Sequence, residues 1–365
     1  MHSTSQYILY FCLSLCTSLG ASIGTSWTEN PSDPIYSPFA ALSEDYFPCV
    51  IYNKDRFLGD GDAVYYKMWH QGPNDTIALS YSNDGIAWTL KAATVVPAEA
   101  FHPCVVYDPK GFGTRGAKYK MWFWNGVASL TVDAILCTTS VDGINWAPAV
   151  PVTQDPDFPL AVGVAGQFFY HLYGPGFVKY NPSATSRPGR PYTYPYIMFF
   201  DTATEGFGPG TSQEQIGLAY SSDGISWTRY GTGPVLIPSG DVSDWDGSHV
   251  YRPSLVQGAG AYHLYYSGSN GDSSTGLFYA HGLGHAISTD GISWIRDSSN
   301  PIFISTDGVA WRNDRSYTPF VLLDKHQDQN RWGPYTLKMW FTGGTGLYAG
   351  MDQGIGYATV PISRY

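Results

Sequence analysis

"YSSDGISWTRYGTGPVL", Tyr220–Leu236, decides how this chain folds, because "TSWTENPSDPIY", Thr25–Tyr36, repeats only its second half. Both carry Ser-Trp-Thr with the Trp seven residues ahead of a Pro and a β-branched residue: Trp227 and Pro234, Trp27 and Pro34. The first half of the longer stretch recurs elsewhere, as "SNDGIAW" at Ser82, "SVDGINW" at Ser140 and "STDGISW" at Ser288. Asp-Gly between apolar β-forming segments is a hairpin signal, since the turn needs positive φ and Gly supplies it at little cost. The Ile and Trp that follow, two residues apart, share one face of the next strand and are expected to pack between neighbouring units.

Two more patterns keep step with the turns. An aromatic, alternating strand precedes each: "YYKMWHQG" (Tyr65), "KYKMWFWNG" (Lys118), "YPYIMFFDT" (Tyr194), "AYHLYYSG" (Ala261) and "LKMWFTGG" (Leu337). Each unit opens on "FPCVIY", "HPCVVY", "GPGFVKY", "RPSLVQ" or "TPFVLL", where Pro is tolerated because the first residue of a strand need not donate to the ladder. Strand, strand, strand, turn, strand is the unit of a β-propeller blade, and five opening strands predict an all-β, five-bladed propeller with four antiparallel strands per blade. The fifth unit ends at "IGYATV" without a Trp-bearing outer strand, so residues 25–36 are expected to close it from the N-terminus and remove the open edge. "STDGVAW" at Ser305 falls too early; Trp311 lies eight residues before Pro319, as Trp245 lies eight before Pro253, and belongs to the connection entering blade five.

Composition agrees. The 365 residues are 43% hydrophobic and only 14% charged, with 41 Gly, 25 Pro, 28 Tyr and 12 Trp. A formal charge of −10 without a basic cluster argues against nucleic acid and anionic membranes as partners. Residues 1–24 read as a signal peptide, with apolar "YILYFCLSLC" too short to span a bilayer and cleavage after Ala21 or Gly24. Residues 25–365 are then a single secreted domain, expected to be a monomer. Removal of the leader leaves Cys49, Cys104 and Cys137, an odd number; Cys49 and Cys104 in matched contexts are expected to be small buried hydrophobes, a bridge between them being the other reading. "NDT" at Asn74 is a glycosylation sequon for a eukaryotic secretory pathway. The histidines show no zinc-site spacing, so neither a metal nor another cofactor is expected, although oxygen-ligated Ca²⁺ leaves little trace in sequence.

Strands of the "YKMWF" kind followed by "YSSDGISW" resemble the five-bladed propellers of glycoside hydrolase families 32 and 43 and their relatives. The turn also resembles the Asp-box of sialidases with one residue fewer, but five units do not make a six-bladed sialidase. The resemblance covers nearly the whole mature chain and is carried by blade-building residues, so it speaks to fold more than chemistry. It implies an active site where the inner strands begin, with a carboxylate base on blade one, an Asp that tunes pKa on blade two and a Glu acid on blade three. Cleaving an acetal needs one carboxyl to protonate the leaving oxygen and a second to attack or to activate water. Here those places hold Phe47, His102 and Tyr173.

Replacement acids are Asp45, beside Glu44 in the loop entering blade one; Glu205, with Asp201, in "FFDTATEGFGPG"; and Asp246 in "WDGSHVYRP". Asp314 enters blade five. Arg252 opens blade four and suits a sugar hydroxyl or carboxylate through its planar donors. Phe47, His102, Tyr173 and Arg252 are the candidate sugar-binding residues. Each has a plainer reading: Asp45 and Asp246 as caps of entry turns, His102 as a satisfied polar residue, the repeated Trp as packing and Asp84, Asp142, Asp223 and Asp290 as turn residues. The function expected is a carbohydrate-active protein with an oligo- or polysaccharide ligand, either a glycoside hydrolase with displaced acids or a propeller that binds a glycan or protein without catalysis.

Overall fold

The structure is a computed structural model that describes residues 26–39, 46–57, 60–97, 99–113, 116–126, 134–161, 168–204, 213–241, 243–258, 260–272, 277–324, 335–345 and 352–362. Five small sheets stand around one axis. Blade one is Cys49–Tyr52, Tyr66–Gly72, Thr76–Ser82 and Trp88–Val96; blade two is Ala100–Tyr107, Tyr119–Asn125, Ala134–Ser140 and Val150–Pro151. Blade three is His171–Tyr180, Tyr196–Ala203, Glu214–Ser221 and Ser226–Arg229, with Thr153–Gln154 added in parallel to its outer edge. Blade four is His249–Gly258, Ala261–Asp272, Leu277–Ser288 and Ile295–Arg296, with Phe303–Ile304 also paired to its third strand. Blade five is Arg315–Asp324, Tyr335–Thr345, Asp352–Ile362 and, from the N-terminus, Thr28–Glu29, which pairs antiparallel with Asp352–Ile362. The all-β propeller and its closure by the N-terminal strand are therefore as the repeats predict. Residues 1–24, read from the sequence as a leader and holding Cys12 and Cys16, lie outside the described residues.

Every Ser-x-Asp-Gly turn is built alike. In the first, Ser82 Oγ accepts from Gly85 N at 2.8 Å, and Asp84 Oδ1 accepts from Ile86 N and Ala87 N at 2.8 Å each. The Asp side chain thus satisfies backbone donors that the tight turn would otherwise leave bare. In the first three turns the Gly carbonyl then faces the core and takes two indoles, while Gly291 O accepts from Tyr192 OH at 2.9 Å. Gly85 O accepts Trp88 Nε1 of its own blade at 3.0 Å and Trp340 Nε1 of blade five at 2.7 Å. Gly143 O accepts Trp146 and Trp69, each at 3.1 Å, and Gly224 O accepts Trp227 at 3.2 Å and Trp122 at 2.7 Å. The Trp indoles are therefore the blade-to-blade packing expected of them. Their Ile companions divide: Ile144 and Ile292 pack against the core beside Trp146 and Trp294, whereas Ile86 and Ile225 are 36% exposed.

Lysines two residues before those second-strand Trp residues reinforce the same seams. Lys67 Nζ donates to Tyr119 OH at 2.9 Å and to Asp142 O at 3.2 Å, and Lys338 Nζ donates to Tyr66 OH at 2.9 Å. Nearer the axis, Cys49 Sγ accepts from Val105 N at 3.2 Å, Cys104 Sγ from Val178 N at 3.0 Å and Ser254 Oγ from Val321 N at 2.9 Å. Cys49, Cys104 and Cys137 are buried free thiols, and none is bridged.

Entry connections tie down the outer strands. Trp245 covers the glycines of blade four and Trp311 those of blade five; a Cβ on Gly268 would lie 2.5 Å from Trp245, and one on Gly343 would lie 2.1 Å from Trp311. The Asp-Gly at Asp307 belongs to short 3-10 turns in that connection, as its early position predicts. Next to these Trp residues sits an ion pair whose signs reverse between blades. Asp246 meets Arg296 of the outer strand at 2.8 Å in blade four, whereas in blade five buried Arg312 meets Glu29 of the N-terminal strand, and also Asp307 at 2.8 Å.

Three measurements probe this frame. Gly143→Ala should lower stability by about 2–4 kcal/mol, from left-handed strain plus a Cβ 2.8 Å from Trp69. Gly61→Ala, at the same φ of +81° with nothing within 4 Å, should cost only about 1 kcal/mol; equal losses in urea melts would deny the seam its role. Glu29→Ala should cost up to about 3 kcal/mol by leaving buried Arg312 with Asp307 alone, and deletion of residues 25–36 should abolish the cooperative melt.

Candidate axial site at the start of the inner strands

Each inner strand opens with a residue before proline, and all five are in the left-handed region: Phe47 (φ 56°), His102 (φ 55°), Gly174 (φ 118°), Arg252 (φ 50°) and Thr318 (φ 53°). Proline excludes the right-handed helical region for the residue before it, and the strand register slips at these points in blades two to five. The combined effect turns these side chains out of the sheet and toward the axis. Four of them are not glycine, and each costs of the order of 1–3 kcal/mol in backbone strain, which persists where surrounding contacts over-determine it and clusters at functional sites.

Those contacts are dense. The Phe47 ring lies 4.0 Å edge-on to His102 and 6.2 Å from Tyr317, with the Arg252 guanidinium 5.1 Å from its centroid. Arg252 forms an ion pair with buried Asp201, and its backbone N–H donates to the same carboxylate at 2.8 Å. Its Nη1 donates to the Tyr173 carbonyl at 3.2 Å, and its Nη2 lies 2.8 Å from His102 Nε2. The other ring nitrogen, His102 Nδ1, is 2.7 Å from the Tyr173 carbonyl. A carbonyl only accepts, so Nδ1 carries the proton and Nε2 accepts from Arg252. Burial, and then the Arg252 charge, hold the His102 pKa well below the ordinary histidine value, so the imidazole is neutral.

The structure thus brings Phe47, His102, Tyr173 and Arg252 together. Tyr173 contributes its carbonyl, while its ring is buried edge-on to Trp124 at 6.2 Å. The left-handed place in blade three belongs to Gly174, where a Cβ would stand 2.9 Å from both His102 and Trp124. At this depth the axis is nearly filled: the cavity among Phe47, His102, Gly176, Arg252 and Thr318 is about 30 Å³, room for a water or two and for no sugar ring.

Asp45 and Glu205, with Glu44, lie outside the described residues. Asp246 is buried between Tyr266 OH, at 3.0 Å, and Arg296, at 2.8 Å, which makes it a link within blade four. Two groups were not legible beforehand. Trp124 stacks on His102 at 5.4 Å, and its indole N–H, like Asn125 Oδ1, is buried without a partner among the described residues. Glu214, at the start of a third strand, lies 3.5 Å from His249 Nδ1, and burial pushes its carboxyl up to about 7 while burial lowers His249 to about 4. The one signal for the axial layer is positional: Trp124, Asp201, Ser267 and Thr342 stand two residues beyond the aromatic anchor of their second strands. Among the described residues no group of three or more His, Cys, Asp or Glu is placed to hold a metal ion.

Comparison with solved structures places this architecture. A protein titled glycoside hydrolase matches with a TM-score of 0.59 at 14% identity, covering 100% of this chain and 97% of that one. The fold is that of the glycoside hydrolase propellers. A thermostable family-43 glycoside hydrolase matches at 0.52 and 15% identity, over 89% of this chain and 92% of that one. So does an N-acetylgalactosamine deacetylase from F. plautii, solved in complex with blood group B trisaccharide, at 0.57 and 14% identity over 94% of each chain. No protein-family model and no curated protein matches the chain. At 14–15% identity the likeness is one of fold, and a shared fold does not fix the chemistry.

The Glu214–His249 pair gives this site a pH signature. Glu214 is raised from 4.5 to about 7, so the folded protein keeps a proton that the unfolded chain has lost, and its contribution to stability falls as pH rises through that window. His249 is lowered from 6.5 to about 4, and its contribution rises with pH up to 6.5. Above that pH only the Glu214 effect remains. Glu214→Gln should therefore gain melting temperature relative to the parent between pH 6.5 and pH 8; a difference that stays constant with pH would place the carboxyl in water.

Proposed function

We propose that this protein is a secreted, carbohydrate-active propeller that binds an oligo- or polysaccharide on the face where the inner strands begin, above the filled axis rather than inside it. The observation that carries the reading is the convergence of four strained, non-glycine residues on one mouth, with a pocket below them too small for a sugar. Trp124 and Phe47, both in contact with His102, supply apolar ring faces and edges for a pyranose. Glycoside hydrolases among the structural neighbours, and a neighbour solved with a trisaccharide, support a glycan as the ligand class.

Binding is favoured over hydrolysis by the charges of the ring. Acetal cleavage needs two carboxyls roughly 5–9.5 Å apart. Among the described residues the ring holds one carboxylate, Asp201, and Arg252 neutralises it. Glu214 supports hydrolysis as a second reading, since a carboxyl raised to about 7 keeps a proton for a leaving oxygen near neutral pH. Its partner would be Asp45 or Glu205.

Full-length chain expressed with its own N-terminus tests both. Export is expected, with a mature N-terminus at Ser22 or Thr25. The purified protein should bind at least one glycan class on an array and by calorimetry, release no sugar, and lose affinity about ten-fold in Trp124→Ala. Sugar release abolished by Glu214→Gln would establish the hydrolase instead. Folded protein that neither binds nor cleaves any glycan on a broad panel would end the carbohydrate reading.

A further inference from the structure

The ring of pre-proline residues divides the axis in two. Beneath it, toward the ends of the inner strands, opens a second cavity of about 410 Å³, within the size range of small-molecule sites. Its origin is steric. Phe47, His102 and Arg252 reach the axis at the ring, but the next layers are short and β-branched, with Val50, Val105 and Val178 lining a space they are too small to fill. Phe177 and Phe320, their rings 6.1 Å apart, and Leu322 complete an apolar wall. Wall atoms facing such a space lack packing partners, and a ligand of matching shape restores those contacts.

The chamber has one charged spot. Lys338 and Asp324, both nearly buried, form an ion pair at 2.8 Å in its wall, and Lys338 Nζ also donates to Tyr66 OH at 2.9 Å. An ammonium has three donors. Among the described residues the third N–H of Lys338 has no hydrogen-bond partner. Asp324 already balances the charge, so the group that fits there is a neutral oxygen and not an anion. Half-buried Tyr52, Tyr107 and Tyr180 edge the chamber and complement an aromatic guest.

We infer that this lower chamber is a binding site for a small neutral phenol, its ring held by the valine and phenylalanine wall and its hydroxyl by Lys338. The site shares no lining residue with the ring mouth except Phe320, and it stands whether or not a glycan binds there.

The full chain titrated with p-cresol and with toluene, by calorimetry and by melting temperature, tests this. Saturable p-cresol binding is expected, about ten-fold tighter than toluene because only the phenol meets the ammonium donor, and it should raise the melting temperature. In Lys338→Met/Asp324→Asn, which removes both charges together, the preference should shrink to about two-fold while toluene binding remains. Leu322→Trp, or Phe177→Trp if the first fails to fold, should fill the chamber and abolish both. Absence of saturable binding to folded parent, equal affinity for the two probes, or undiminished binding in a folded, filled variant would each overturn the inference.

Discussion

One backbone carbonyl in each of the first three Asp-Gly turns carries this architecture. Gly85, Gly143 and Gly224 each present a C=O that takes an indole N–H from their own blade and another from the preceding blade. A carbonyl has two lone pairs, and both are directed here. The arrangement requires glycine on two counts, since φ is +75° to +81° at these positions and a Cβ would stand 2.8–2.9 Å from the incoming Trp. The indole in turn is fixed within its own sheet, so blade spacing and angle are set together. Where the pattern lapses, the substitutes are weaker: Phe199 meets Trp294 only through ring edges, and Gly291 accepts from Tyr192 OH at 2.9 Å. At the closing seam Tyr265 and Trp27 likewise pack edge to face, 5.6 Å apart. There the Glu29–Arg312 ion pair supplies the anchor that no turn provides.

The same repetition explains what could be read in advance. Asp-Gly turns, aromatic second strands and proline-led inner strands are local signals, legible because each unit must meet its neighbours in the same way. The half-motif at Thr25–Tyr36 exposes the closure because a ring has no edge to spare. Legibility ends where positions stop repeating. His249 in "HVYRP" repeats His171 in "HLYGP", each opening an inner strand, so its position alone does not single it out; the importance of the Glu214–His249 pair arises from burial, which sequence spacing does not report. Tyr173 occupies the place expected of an acid, yet Gly174 takes the left-handed position, since only glycine fits between His102 and Trp124. Asp246 resembled a site residue in sequence; its equivalence to Arg312 becomes visible only once Arg296 and Glu29 are seen on matching outer strands.

Fold and chemistry are separable in this molecule for a structural reason. The residue before proline has positive φ in all five blades, and in four of them it is not glycine, so those four side chains leave the sheet and turn to the axis whatever their identity. The positions hold Phe, His, Gly, Arg and Thr within one frame, because the seams that hold the blades lie elsewhere, at the Trp–Gly contacts. The residues at the mouth are therefore free to differ among propellers that share this frame at 14–15% identity.

What the mouth has become follows from charge. A carboxylate poised for catalysis needs a neighbourhood that leaves it able to take or give a proton. Asp201 has the opposite: it is fully buried, bound to the guanidinium of Arg252 and to its backbone N–H, while neutral His102 caps the other side of the arginine. Breaking that pair would leave an uncompensated buried charge. With Phe47 packed against the guanidinium, the four groups form a lock that nearly fills the axis at this depth. Glu214 stands outside the lock, next to His249, and it is there that proton chemistry, if the mouth has any, has the carboxyl it needs.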